Sequence, residues 1–194
     1  MSPNDFLEIL SKAGMLKTTT RHCYTEESRK ESVADHSWRM ALMAMLLSRE
    51  PEFAQTDMNK VIRMCLIHDL GEAFTGDIPS FEKTTSDEIR EDAYFLDWVD
   101  SFPDAQKDEW ICLLREMANL QTKEAKTYKA LDKLEAVISH NESDLSTWLP
   151  LEYDLQLVYG KEQVQFSEYL KALSRHIDTW TRRKIADGQP TSFP

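Results

Sequence analysis

Two metal-type ligands stand side by side, His68-Asp69, at the end of the apolar run Cys65-Leu66-Ile67, and a further carboxylate, Glu72, follows three positions later. An imidazole beside a carboxylate is a costly choice for an apolar helix unless a cation holds both. An earlier Asp35-His36 and a later Asp132 could complete the set. His36, His68, Asp69 and a distant Asp supply two imidazoles and two carboxylates. Such mixed N/O ligation suits Mn, Fe, Co or Zn better than Ca or a thiolate-selected metal. Neighbours on a regular helix diverge by about 100°, so His68 and Asp69 can share an ion only beside a helix end, which Gly71 supplies. Four ligands leave an octahedral ion open positions for water and substrate.

The elements that must position these residues read as helices, because apolar residues recur mostly at helical spacing. Phe6, Ile9, Leu10 and Ala13 predict a first helix ended at Gly14. Residues 17–31 are polar and read as a loop. Ser32, three before Asp35, opens a helix through about Glu50, stopped by Pro51, whose Met/Leu/Ala stretch implies burial on most sides. Asp57 caps a helix from Met58 to about Leu70 that carries the His-Asp pair near its end. Further helices are expected at about 85–101, 105–121, 124–141 and 162–184. Asp132 interrupts the apolar stripe of Leu131, Leu134, Val137 and Ile138, which favours it over Asp144 and Asp154. No alternation is long enough for a sheet. The expected fold is all-α, one compact multi-helix domain over 1–186, followed by a flexible tail over 187–194.

Composition limits the rest. The 194 residues suit one domain, with 5 Gly and 7 Pro, few enough turn-formers to lean helical. A net charge of −11 argues against a nucleic-acid binder, and no apolar run is long enough to span a membrane. Three scattered cysteines, Cys23, Cys65 and Cys112, make neither a disulfide framework nor a zinc knuckle, which fits a reducing, cytoplasmic setting.

The runs Arg29 to Ser37 and His68-Asp69-Leu70-Gly71-Glu72-Ala73-Phe74-Thr75-Gly76-Asp77-Ile78-Pro79 resemble the HD-domain metallophosphohydrolase superfamily, and within it the 5′-deoxynucleotidase branch. The likeness spans roughly residues 5 to 140 and implies an α-helical HD domain. It implies that His36, His68, Asp69 and Asp132 bind one divalent metal such as Mn or Co. Glu72 matches the residue that activates the attacking water, and Asp77 a carboxylate active in substrate binding and proton handling. Arg21, fifteen residues before His36, matches an arginine that contacts the substrate phosphate. The implied substrate is a (deoxy)nucleoside 5′-monophosphate, a small molecule, and relatives of this branch are often homodimers. Related deoxynucleotidases can carry a Trp after that arginine, where it helps exclude a ribose 2′-hydroxyl; here the residue is His22. No histidine lies between Asp69 and Asp132, which indicates one metal rather than two.

Two alternatives stand beside the nucleotidase reading: a phosphodiester or pyrophosphate substrate, against which few basic residues flank Arg21, and a non-catalytic nucleotide binder, against which Glu72 speaks. Elsewhere the bland readings lead. Lys83 reads as part of a solvated loop, Asp87-Glu88 with Glu91-Asp92 as a solvated face, and His22, His140 and His176 as structural or exposed. The five tryptophans read as core.

Overall fold

The computed structural model describes residues 1–25 and 29–188. Its helices start where side chains can satisfy the free N–H groups of a first turn. Ser2 and Ser32 each accept from a backbone N–H three residues on, and Asp5 and Asp35 reciprocate, opening α1 (Pro3–Ala13) and α2 (Val33–Leu47). Asp57 caps α3 (Met58–Ile67) by accepting from the Lys60 N–H, without a reciprocal bond. A single turn, α4 (Glu72–Thr75), follows, then α5 (Thr85–Asp100) and α6 (Asp104–Asn119). Thr122 caps the long α7 (Lys123–Glu142). Two more helices, α8 (Glu152–Val158) and α9 (Glu168–Asp187), complete the described chain.

Three expectations are corrected. The segment read as a loop contains a small antiparallel hairpin, β1 (Thr20–Tyr24) and β2 (Lys30–Ser32), with Thr20 opposite Ser32 and Tyr24 opposite Lys30. Strands this short carry too few residues for alternation to show in sequence. The last helix starts at Glu168 rather than 162, because Ser167 accepts from the Leu170 N–H, and α8 precedes it where no helix was expected. Helix α9 runs through Asp187 with Gly188 as its left-handed cap; the rest of the expected tail, 189–194, lies outside the described residues.

The core sits where α2, α3 and α7 meet. Met40, Ala44, Val61, Met64, Cys65, Leu131 and Leu134 are all essentially inaccessible. Each large side chain buried there contributes roughly 1.5–3 kcal/mol, and the set fixes the three helices that deliver the polar site. Helix α2 is not buried on most sides, however: Met40 and Ala44 face inward, while Trp38, Met45 and Leu46 are 57–68% exposed. Trp38 is thus no core residue, unlike Trp148 and Trp180. Among the described residues no helix is long and apolar enough to cross a membrane.

Candidate metal centre and substrate cavity

Helix α3 stops one residue before His68. From there the chain tightens: Leu70 N–H bonds Ile67 C=O at 3.1 Å and Glu72 N–H bonds Asp69 C=O at 3.0 Å, both three-residue turns. The ligand pair therefore sits on the turn after the helix. Gly71 is required there, since a Cβ would come 2.7 Å from Glu91 Cγ of α5. Gly76, at φ +78° and ψ 163°, takes a conformation that L side chains resist, and it turns Asp77 back toward the site.

His36 of α2 and Asp132 of α7 converge on this turn. His36 Nε2 lies 3.8 Å from Asp69 Oδ2 and 3.5 Å from Asp132 Oδ1, and His68 Nε2 lies 3.0 Å from Asp69 Oδ2. The donor atoms of His36, His68 and Asp69 all lie within 4.8 Å of one another. The opposite ring nitrogens are committed: His36 Nδ1 bonds the buried Glu135 carboxylate, and His68 Nδ1 bonds Cys65 C=O at 2.9 Å. Those bonds favour the N–H on Nδ1 and leave a lone pair on each Nε2. Both Nε2 atoms are buried without a hydrogen-bond partner among the described residues. Two lone pairs thus face two carboxylates, a donor set that fits a divalent cation. Glu31, His36 and Glu135 also cluster, but Glu135 is already engaged by the His36 N–H and by Arg39 Nε at 2.6 Å, so that group serves as support.

The electrostatics agree. Burial, together with the Asp69, Asp77 and Glu91 carboxylates, raises the Glu72 carboxyl to about 10. Burial also raises Asp77, against the pull of Arg21. Burial alone would raise Asp132, yet Lys129 and Lys133, at 2.9 and 3.2 Å from its Oδ2, hold it well below the usual range. Burial and Arg21 push His36 down, but Glu135 and Asp132 outweigh them and lift it to about 9. The carboxylates around His36 thus favour positive charge at this place, which a bound cation would also supply.

Arg21, Asp69, Glu72, Asp77 and Asp132 line one cavity of about 210 Å³, and His36 and His68 meet it through Asp69 and Asp132. Arg21 projects from β1, its Nε 3.0 Å from Glu31 and its Nη1 3.7 Å from Asp69. The structure brings the seven residues singled out in the sequence to one place; Asp144 and Asp154 are exposed elsewhere.

Two bland readings are corrected here. Lys83 is no solvated loop residue: it lines the cavity and pairs with Glu91 at 2.7 Å. Glu91 is 9% exposed, so the acidic run of α5 turns one carboxylate inward. The histidines keep the roles read for them, His140 bonding Ala136 C=O and Glu152 in the cavity wall, His22 facing the same carboxylate and His176 exposed. Sequence reasoning missed Glu135 and Arg39, which brace His36, and the cations at Lys129 and Lys133. The spacing of those two lysines around Asp132, three before and one after, was their available signal.

Comparison with known proteins agrees with this geometry. A family model described as an HD domain matches residues 13–174. A Dictyostelium discoideum protein named 5′-deoxynucleotidase HDDC2 is 31% identical over 144 residues, covering 70% of this chain and 75% of that protein. A Danio rerio protein of the same name is 28% identical over 193 residues, covering 97% and 94%. Among solved structures, a predicted metal-dependent phosphohydrolase from Magnetospirillum magnetotacticum superposes with a TM-score of 0.77 at 28% identity, covering 93% of each chain.

Proposed function

The chain belongs to the HD-domain family, and from that premise we propose that it is a metal-dependent 5′-nucleotidase that hydrolyses (deoxy)nucleoside 5′-monophosphates to nucleoside and phosphate. The observation that carries this is the pair of orphaned, buried Nε2 atoms facing Asp69 and Asp132, two carboxylates that line a cavity together with Arg21 and Glu72.

In this reading His36, His68, Asp69 and Asp132 hold one divalent ion, and Mn or Co suits the donor set. The bound ion would neutralise phosphate oxygens and acidify a water. The charge of the ion would also draw the Glu72 carboxyl down from the high value that burial and its acidic neighbours impose, so that Glu72 can take the proton of the attacking water at its carboxylate. Arg21 holds charge on the phosphoryl group, with a guanidinium that matches phosphate geometry. As the P–O5′ bond breaks, its electron pair goes to O5′, and that oxygen receives a proton from Glu72 or Asp77. Lys83, Lys129 and Lys133 also line the cavity, more cations than the sequence suggested, but each is engaged by Glu91 or Asp132. Arg21 is paired as well, with Glu31 and Asp69, so no unengaged cation is left for a second phosphoryl group, which favours a monoester over a pyrophosphate.

The exposed apolar face of α2, Trp38, Met45 and Leu46, supports a homodimer. The free thiols of Cys23, Cys65 and Cys112 support a reducing, cytoplasmic setting. The test is metal-reconstituted protein assayed on dAMP, AMP and other nucleotides, scored separately for phosphate and pyrophosphate. Phosphate release from monophosphates is expected; pyrophosphate release alone, or binding without turnover across several metals, would replace this reading.

A further inference from the structure

The cavity has a second end that the metal chemistry does not use. Successive side chains of a strand point to opposite sides. In β1, Arg21 and Cys23 both reach Glu31, at 3.0 Å each, on the side of the metal ligands. His22, between them, points the other way and stands 3.4 Å from Glu152 of α8. There the wall is built from fixed groups. Glu152 is 1% exposed; its Oε1 is 2.9 Å from His140 Nε2, and its Oε2 accepts from Leu149 N–H at 2.7 Å. One turn further along the same face stands Gln156, 5% exposed and lining the cavity. Its Oε1 is buried with no hydrogen-bond partner among the described residues. A buried amide oxygen without a partner costs free energy that only a ligand or a water can return. Phe81, edge-on to the His22 ring with centroids 5.6 Å apart, gives the same end an aromatic surface.

We propose that this end is the nucleoside subsite and that the Gln156 carboxamide reads the polar edge of the nucleobase, carried on the helix that the Glu152–His140 pair anchors. A carboxamide offers a donor and an acceptor side by side, the pattern that pairs with adjacent acceptor and donor groups on a base edge. The anchored neighbours matter because a fixed amide discriminates, whereas a mobile one adapts to any base. The proposal rests on the nucleotidase reading for what occupies the other end, and its test is chosen so that the two can fail separately.

Steady-state kinetics on the four deoxynucleoside monophosphates, in wild type, Gln156→Leu and Gln156→Glu, test it together with calorimetric binding of the four free deoxynucleosides. Wild type should spread its kcat/KM over the bases by roughly five- to tenfold, the worth of one good hydrogen bond. In Gln156→Leu that spread should collapse through a rise in KM for the favoured bases. In Gln156→Glu, which keeps shape but loses the donor, the order of bases should change. An equal loss on all four bases in both variants, or a wild type indifferent to the base in kinetics and in binding, would overturn the proposal. Absence of phosphate release from every nucleotide would remove the hydrolase reading alone; the nucleoside binding series then still decides the role of Gln156.

Discussion

The two ends of the cavity differ in how they are built. At the proposed metal end every candidate ligand comes from the packed core or from the turn beside it: His36 from α2, His68 and Asp69 from the turn after α3, Asp132 from α7. Its supports run from the fully buried Glu135, bonded to His36, to the half-buried Arg39, bonded to Glu135, Ser139 and Glu142. At the other end the walls come from β1 and the short α8, and the contacts are His140 to Glu152 and Trp148 Nε1 to His140 C=O at 3.0 Å. Under the two proposals, the part that sets rate is locked into the fold's central packing, while the part that sets selectivity is carried largely by β1 and α8, braced from α7 by His140. One can change without the other.

That separation can be broken by substitution, beginning at the metal end. Asp69→Ala should abolish both metal content and phosphate release, a fall of about a thousandfold or more; plasma emission analysis of metal alongside the phosphate assay checks it. Glu72→Gln should keep the metal and lose about 10²- to 10⁴-fold in kcat. Full activity in that variant would remove Glu72 as the base. Glu135→Gln should weaken metal affinity by about 10- to 100-fold while kcat at saturating metal largely returns, as measured by metal titration. At the other end, His140→Ala should leave metal content and raise KM about fivefold by freeing Glu152; a change in metal affinity would show that the two ends are coupled.

Smallest of all, Asp35→Ala should cost about 1 kcal/mol in thermal stability by removing half of a capping box. The Arg29 and Ser32 bonds to Asp35 outweigh its partial burial and hold its carboxyl at about 2, below the unfolded value. Its contribution is therefore fully present above the usual carboxylate range and fades as pH falls toward about 2. Because Asp35 is partly exposed, salt should screen this effect.

The contrast also explains what was legible in the sequence. His68-Asp69 stands out because polar ligands interrupt an apolar run, and Asp132 because it breaks a helical stripe. Helix starts at Ser32 and Asp57 are readable because caps are local chemistry. The hairpin and α8 are not, since short elements hold too little periodicity, and they carry His22 and Gln156. The burial of Glu91 and the exposure of Trp38 depend on which helix lies opposite, which no local pattern encodes. Glu135 looks like any helical glutamate until α2 is placed beside it.

Arg21 and His22 are consecutive residues of one strand, so a single backbone unit sets the spacing between the two ends of the cavity. The strand is itself clamped, since Val33 N–H of α2 bonds Thr19 C=O at 3.0 Å just before it. Under the proposed function β1 acts as a ruler. The distance from the phosphoryl group met by Arg21 to the nucleoside beside His22 is then set by backbone geometry rather than by side chains that can swing.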